Sequence, residues 1–126
     1  MAARCFPVVY ADVVESTAAF YELLGFERHF QLPAEGEAGY VGLRSDGGEL
    51  AVVASQWPQD QFGMQLGTAP RFEMFVYVDD VDGTLERLRM SGTDILRPAE
   101  DMPWGERVGY VSDPDGNPVA VAAPVT

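Results

Sequence analysis

The chain has 126 residues, 47% of them hydrophobic, and its 20 acidic against 8 basic side chains leave a net charge of −12. That length suits one domain or two small halves sharing a core, and no apolar run approaches the ~20 residues a membrane-spanning helix needs. The negative field disfavours nucleic acid and anionic membrane as partners, and a single cysteine excludes an internal disulfide framework. The opening Met-Ala-Ala-Arg-Cys-Phe-Pro lacks the apolar stretch of a signal peptide, so the expectation is a soluble, cytoplasmic protein. Acidity serves solubility by itself; it favours a cationic ligand only where a binding face exists.

Taken in chain order, residues 6–11 are rich in Val, Phe and Tyr and read as a strand. Asp12-x-x-Glu15 then resembles a helix N-terminal cap. Val14, Ala18 and Tyr21 form one helical stripe, flanked by Phe20 and Leu24, and Gly25 is placed to stop the helix. Short strands follow around 26–30, 39–43 and 49–54. The stretch 55–64, with Pro, Gly and Gln and no period, reads as linker. The pattern then repeats: a strand over 72–78, a cap at Asp79-x-x-Asp82, a helical stripe of Val81, Leu85 and Leu88, a stop at Gly92, and strands around 94–96, 107–111 and 118–122. Asp113-Pro114-Asp115-Gly116-Asn117 supplies the turn into the last strand.

The repetition is written in the residues. Val9-Tyr10-Ala11-Asp12-Val13-Val14-Glu15-Ser16-Thr17 lies over Val76-Tyr77-Val78-Asp79-Asp80-Val81-Asp82-Gly83-Thr84 at an offset of 67, and Gly25 over Gly92 at the same offset. Asp46-Gly47 lies over Asp115-Gly116 at an offset of 69, a slippage of two. Two copies indicate a pseudo-symmetric pair of supersecondary units rather than a solenoid. The predicted organisation is a βαβββ module over 1–54, a linker over 55–71 and a second βαβββ module over 72–126, of α+β class.

With Phe20-Tyr21-Glu22-Leu23-Leu24-Gly25-Phe26 after the first strand, Val78-Asp79-Asp80-Val81-Asp82 after the fifth and Asp113-Pro114-Asp115-Gly116-Asn117-Pro118 before the last, the chain resembles the vicinal oxygen chelate superfamily. That group contains glyoxalases, extradiol dioxygenases and bleomycin-resistance proteins. The resemblance covers essentially the whole chain. It implies curled mixed sheets with the helices outside, an open barrel-like cavity, and in many members a homodimer with exchanged halves. Enzymatic members hold a divalent metal with His and Glu at four equivalent slots. Here those slots fall on Phe6 (or Cys5, counting from Asp12), Ala51, Glu73 and Ala120. One carboxylate, or a carboxylate and a thiol, does not make an octahedral site for a hard cation, so no metal and no cofactor is expected.

Strand alternation puts Phe6, Val8 and Tyr10, then Glu73, Phe75 and Tyr77, on the slot face. The opposite set, Val9, Ala11, Met74, Val76 and Val78, is apolar too, so each sheet needs two covers: a helix, and a cavity, a dimer partner or both. Trp104-Gly105-Glu106-Arg107 is similar to a segment in bleomycin- and mitomycin-resistance-like members whose Trp lines the drug groove, and there the residue matching Tyr40 faces it. The resemblance therefore implies that Tyr40 and Trp104 sandwich a flat ring, with Arg107 nearby. Trp57, Phe62 and Met64 either close over the ligand or pack a dimer interface. Glu73 either faces a ligand from a buried slot or pairs with Arg107. The leading expectation is a metal-free protein that sequesters an aromatic natural product, with the acidic surface favouring a cationic one. The alternative is an enzyme of the same fold with Glu73 as general base and Tyr10, Tyr77 or Tyr110 as acid partner.

Overall fold

Strand alternation and helix punctuation build the same α+β pattern twice. A computed structural model describes residues 4–125 and divides into two units, the first ending at Gly67 and the second beginning at Thr68. The first holds β1 (Val8–Ala11), α1 (Val14–Leu23), β2 (Glu27–Leu32), β3 (Tyr40–Ser45), β4 (Gly48–Ala54) and α2 (Trp57–Phe62). The second holds β5 (Met74–Tyr77), α3 (Val81–Met90), β6 (Ile95–Asp101), β7 (Glu106–Ser112) and β8 (Pro118–Pro124). Each forms a four-stranded mixed sheet, in the orders β1-β4-β3-β2 and β5-β8-β7-β6. The first strand of each unit runs parallel to its last, and the other pairings are antiparallel. The sequence repeat survives as register: Val8 pairs with Ala51 and Phe75 with Ala120, Tyr10 with Val53 and Tyr77 with Ala122.

One face of each sheet lies under its helix. In the first unit Val9, Ala11, Val41, Leu43, Leu50 and Val52 are buried with Val14, Ala18 and Tyr21 of α1. In the second, Val76, Val111, Val119 and Val121 are buried with Val81, Leu85 and Leu88 of α3. Each fully buried Val or Leu contributes about 1.5–3 kcal/mol. Gly109 lets α3 approach: a Cβ there would stand 2.5 Å from Leu85 Cδ1 and 3.4 Å from the Ala99 backbone.

The first and fifth strands begin later than the apolar runs predict. Phe6 and Glu73 therefore precede β1 and β5 instead of standing in the ladder. Pro7 has no N–H to donate, and its carbonyl accepts the Ala51 N–H at the strand's edge. In the second unit the lead-in is held by a side chain: the Arg71 N–H donates to Asn117 Oδ1 at 2.8 Å. Asn117 and Asp113 are buried, and Asp113 Oδ1 accepts from the N–H groups of Asp115 and Asn117, both at 2.9 Å. The Asp-Pro-Asp-Gly-Asn turn thus clamps the approach to β5.

Other expectations shift in detail. The stretch 55–64 contains a six-residue helix, α2, with Pro58 in its first turn and Gly63 left-handed (φ 67°) just past its end. Both are ordinary helix boundary residues. β6 runs from Ile95 to Asp101, beyond the predicted 94–96, and tolerates Pro98 because it is an edge strand with irregular register. The glycine stops fall as predicted, Gly25 (φ 106°) and Gly92 (φ 94°) directly following the helix caps.

The N-caps stand one residue later than Asp12 and Asp79. Asp80 (φ −132°, ψ 99°) caps α3, its Oδ1 accepting the Gly83 N–H at 3.0 Å. The equivalent residue of α1 is Val13, whose backbone is nearly the same (φ −125°, ψ 102°) and whose side chain makes no cap bond. The helices' other acids serve as ion-pair partners. Glu15 and Glu22 bind Arg28 of β2 at 3.1 and 2.9 Å. Asp82 binds Arg107 of β7 through two hydrogen bonds, 2.8 and 3.0 Å, and Asp101 of β6 binds the same guanidinium at 3.0 Å.

Val13→Asp should raise stability by about 0.5–1 kcal/mol and Asp80→Ala should lower it by about 1 kcal/mol in urea unfolding. The Arg107 hydrogen bonds hold the Asp82 carboxyl below its ordinary 3.8. Stability from this pair is complete above that value and disappears as pH falls through the depressed one. Arg107→Gln should therefore unfold at lower urea than the parent protein at pH 7, with the gap closing as the pH drops below about 4.

Candidate ligand-binding face

The face of each sheet that carries no helix presents the predicted slot-face residues. In the second unit it is made by Phe75 and Tyr77 of β5, Ala120 and Ala122 of β8, and Glu106, Val108 and Tyr110 of β7, by strand alternation and register. Val108, Ala120 and Ala122 are a buried floor of small side chains, with Met102 and Tyr110 packed against it. The larger rings stand exposed: Phe75 41%, Tyr77 58% and Trp104 58%. The Phe75 and Tyr77 rings are 5.5 Å apart with a 40° tilt.

Trp104 is carried by the turn between β6 and β7. Met102 N–H donates to the Glu106 carbonyl at 2.7 Å, Gly105 N–H to the Met102 carbonyl at 3.1 Å, and Gly105 takes the left-handed φ of 93° that the turn requires. The Trp104 indole N–H donates to Glu106 Oε1 at 2.8 Å, and the Tyr77 hydroxyl donates to Glu106 Oε2 at 2.7 Å. One carboxylate thus holds a ring of β5 and a ring of the β6–β7 turn. This bond raises the Tyr77 pKa above its ordinary value, because the phenol must remain a donor beside a carboxylate.

Glu106 was not among the residues predicted from sequence, whereas its neighbour Arg107 was. Arg107 points to the helix face, where Asp82 and Asp101 bind it, and so it does not line the open face. Glu73 likewise departs from expectation. It is exposed rather than buried, and Arg107 is bound to those two aspartates rather than to it. The signal for Glu106 lay in phase: Gly109 admits the α3 helix, so 107 and 109 share one face and 106 the other.

In the first unit, Phe6 is half-buried with the Arg4 guanidinium 5.1 Å over its ring, Val8 is 41% exposed and Tyr10 is half-buried. Tyr40 makes an edge-on contact of 5.9 Å with Phe30, which the sequence reading did not single out. Arg4 binds Glu49 at 2.6 and 2.8 Å, and His29 Nε2 stands 3.8 Å from Glu49 Oε1. A register irregularity between Arg28 and Phe30 brings His29 beside Gly42, and so onto this face. Glu49 was foreseeable, lying two positions before Ala51. The bulge was not, because no residue type announces it. Trp57 and Phe62 sit on α2 with 45% and 54% exposure. Tyr40 and Trp104 belong to different units.

At the four positions that the resemblance implies as metal slots, the side chains present do not fit a metal ion. Ala51 and Ala120 are buried methyl groups, Phe6 is a hydrocarbon ring, Glu73 is a single carboxylate, and Cys5 is an exposed thiol. Among the described residues no three His, Cys, Asp or Glu side chains gather in a way that could hold a metal ion. No helix of the described residues is long and apolar enough to cross a membrane.

A family model for the Glyoxalase/Bleomycin resistance protein/Dioxygenase superfamily matches residues 6–121. A Mycobacterium tuberculosis protein named "Putative glyoxylase CFP32" is 26% identical over 89 residues, which is 71% of this chain and 33% of that protein. The chain thus spans about a third of the length of that curated relative. Among solved structures, a glyoxalase-related enzyme from Fulvimarina pelagi is similar at TM-score 0.78 and 26% identity, covering 96% of this chain and 88% of that one. TioX from Micromonospora sp. ML1 shares the fold at TM-score 0.79 and 23% identity, covering 98% and 100%. With the matched region running through both sheets, the chain belongs to the Glyoxalase/Bleomycin resistance protein/Dioxygenase superfamily.

Proposed function

We propose that this protein binds a planar aromatic small molecule, such as a natural product or antibiotic, without a metal ion and releases it unchanged. The observation that carries the reading is the exposed set of Phe75, Tyr77 and Trp104 on the helix-free face, above the floor of Val108, Ala120 and Ala122. Large rings left in water beside small side chains leave room for a flat guest. Stacking on each contributes about 0.5–1.5 kcal/mol beyond area burial. Glu106 holds the Trp104 and Tyr77 rings in place beforehand, so less ordering entropy is lost on binding. Phe6, Tyr10 and Tyr40 would offer the equivalent surface in the first unit, with Trp57 and Phe62 of α2 closing over the guest. A homodimer, as in many members of the superfamily, would bring such faces together. Sequestration follows as the mechanism because it needs only affinity.

A second reading, catalysis, is favoured by the naming of the similar Fulvimarina pelagi protein as an enzyme. In that case Glu73 is the base, and its exposure leaves it accessible to solvent and substrate alike.

Native mass spectrometry of chelator-treated protein against a panel of planar aromatic antibiotics tests the proposal and reports subunit number. The expected result is uptake of one of these compounds by metal-free protein and its recovery intact. Trp104→Ala should weaken binding about tenfold, equivalent to roughly 1.4 kcal/mol. Product formation that is lost in Glu73→Gln would transfer the reading to catalysis, and uptake that requires added metal would end it.

A further inference from the structure

We infer that the open face of the second unit selects a planar aromatic cation, with Glu106 as the residue that recognises the positive charge. This rests on the aromatic-binding reading above and deepens it. The Glu106 carboxylate is half-buried on the ring-bearing face, and the donors that hold it, the Tyr77 hydroxyl and the Trp104 indole N–H, are both neutral. They orient the carboxylate without cancelling its charge. Arg89 pairs with Glu86 on α3 and Arg107 with Asp82 and Asp101 on the helix face, while Arg97, in register with Tyr110 and so on the open face, is bound to Glu100. The first unit provides the contrast, since its open-face carboxylate, Glu49, is already neutralised by Arg4.

A neutral ring laid over Glu106 would strip water from a charge and return nothing for it. A cation offsets that loss by direct attraction. It also gains from the faces of Tyr77 and Trp104, which donate to Glu106 through polar groups at the ring edge and so keep their π surfaces available. Hydrogen bonds to the carboxylate are already supplied by the protein. The fitting guest is therefore a delocalised or quaternary cation, such as a ring N-alkylated heteroaromatic, rather than a primary amine seeking acceptors. The net charge of −12 adds long-range attraction of the same sign.

The test compares N-methylacridinium with acridine at pH 8, where acridine is uncharged, by titration calorimetry on the full chain. The parent protein should bind the cation about tenfold more tightly than the neutral ring. Glu106→Gln should bring the two affinities together by weakening the cation alone. Glu86→Gln removes the same charge from the exposed side of α3, away from this face, and should leave the ratio intact, separating Glu106 from the general field. Should Glu106→Gln fail to fold, Glu106→Asp keeps the charge and should keep a preference for the cation. Equal affinity of the parent protein for both compounds would overturn the inference while leaving aromatic binding in place. Loss of the ratio in Glu86→Gln, or its retention in folded Glu106→Gln, would also overturn it. Binding of neither compound would remove the aromatic reading and this inference together.

Discussion

One short helix cannot cover both faces of a four-stranded sheet, and the organisation of each unit follows from that. The helices α1 and α3 have 10 residues each and seal one face, where Val41, Leu43, Leu50 and Val52 of the first unit and Val111, Val119 and Val121 of the second are buried. The other face is apolar as well, yet Val8, Phe30, Phe75 and Tyr77 on it remain 41–58% exposed. Exposed hydrocarbon forgoes about 25 cal/mol for each Å² it could bury. A patch of large rings held in water in this way marks a surface that awaits a guest or a partner.

Duplication supplied the frame twice, and the two frames then diverged in what they present. Register equates Val8 with Phe75, Tyr10 with Tyr77, Tyr40 with Val108 and Gly42 with Tyr110. Ala51 and Ala120 stay small in both, next to the first strand of each unit. The acidic groups moved to different places. The first unit has Glu49 beside Arg4 and His29, a locally balanced cluster at the start of β4. The second has Pro118 at the corresponding position and instead carries Glu106 at the start of β7. The same fold thus offers one face with a neutralised carboxylate and one with a bare one.

Much of this was legible in the residues. The offset repeat, the glycine stops and the alternation of β1 and β5 led directly to two βαβββ units and to one shared face for Phe75 and Tyr77, the one without a helix. What escaped was finer than a residue-type signal. Asp12 and Asp79 looked like caps because acids favour that position, but the cap is set by which residue turns from extended to helical backbone, one place later. The helix α2 was hidden by reading Pro58 and Gly63 as loop residues, when their order, proline first and glycine last, is that of helix boundaries. His29 reached the open face through a bulge, and a bulge reverses the alternation on which face assignment rests.

The most instructive error concerns two adjacent residues. Arg107 attracted attention as the expected partner of a ligand or of Glu73, while Glu106 was passed over. In an extended strand neighbours point to opposite faces, so the two cannot serve the same site. Arg107 belongs to the packed side, where it ties the start of α3 to β6 and β7 through Asp82 and Asp101. Glu106 belongs to the open side with Tyr77 and Trp104. The sheet between them is what keeps the pair apart. Had both side chains faced one way, the arginine would have neutralised the carboxylate and left an ordinary surface ion pair, worth little in water. Alternation instead gives the positive charge to the fold and keeps the negative charge on the ring-bearing face, steadied by donors that leave it negative.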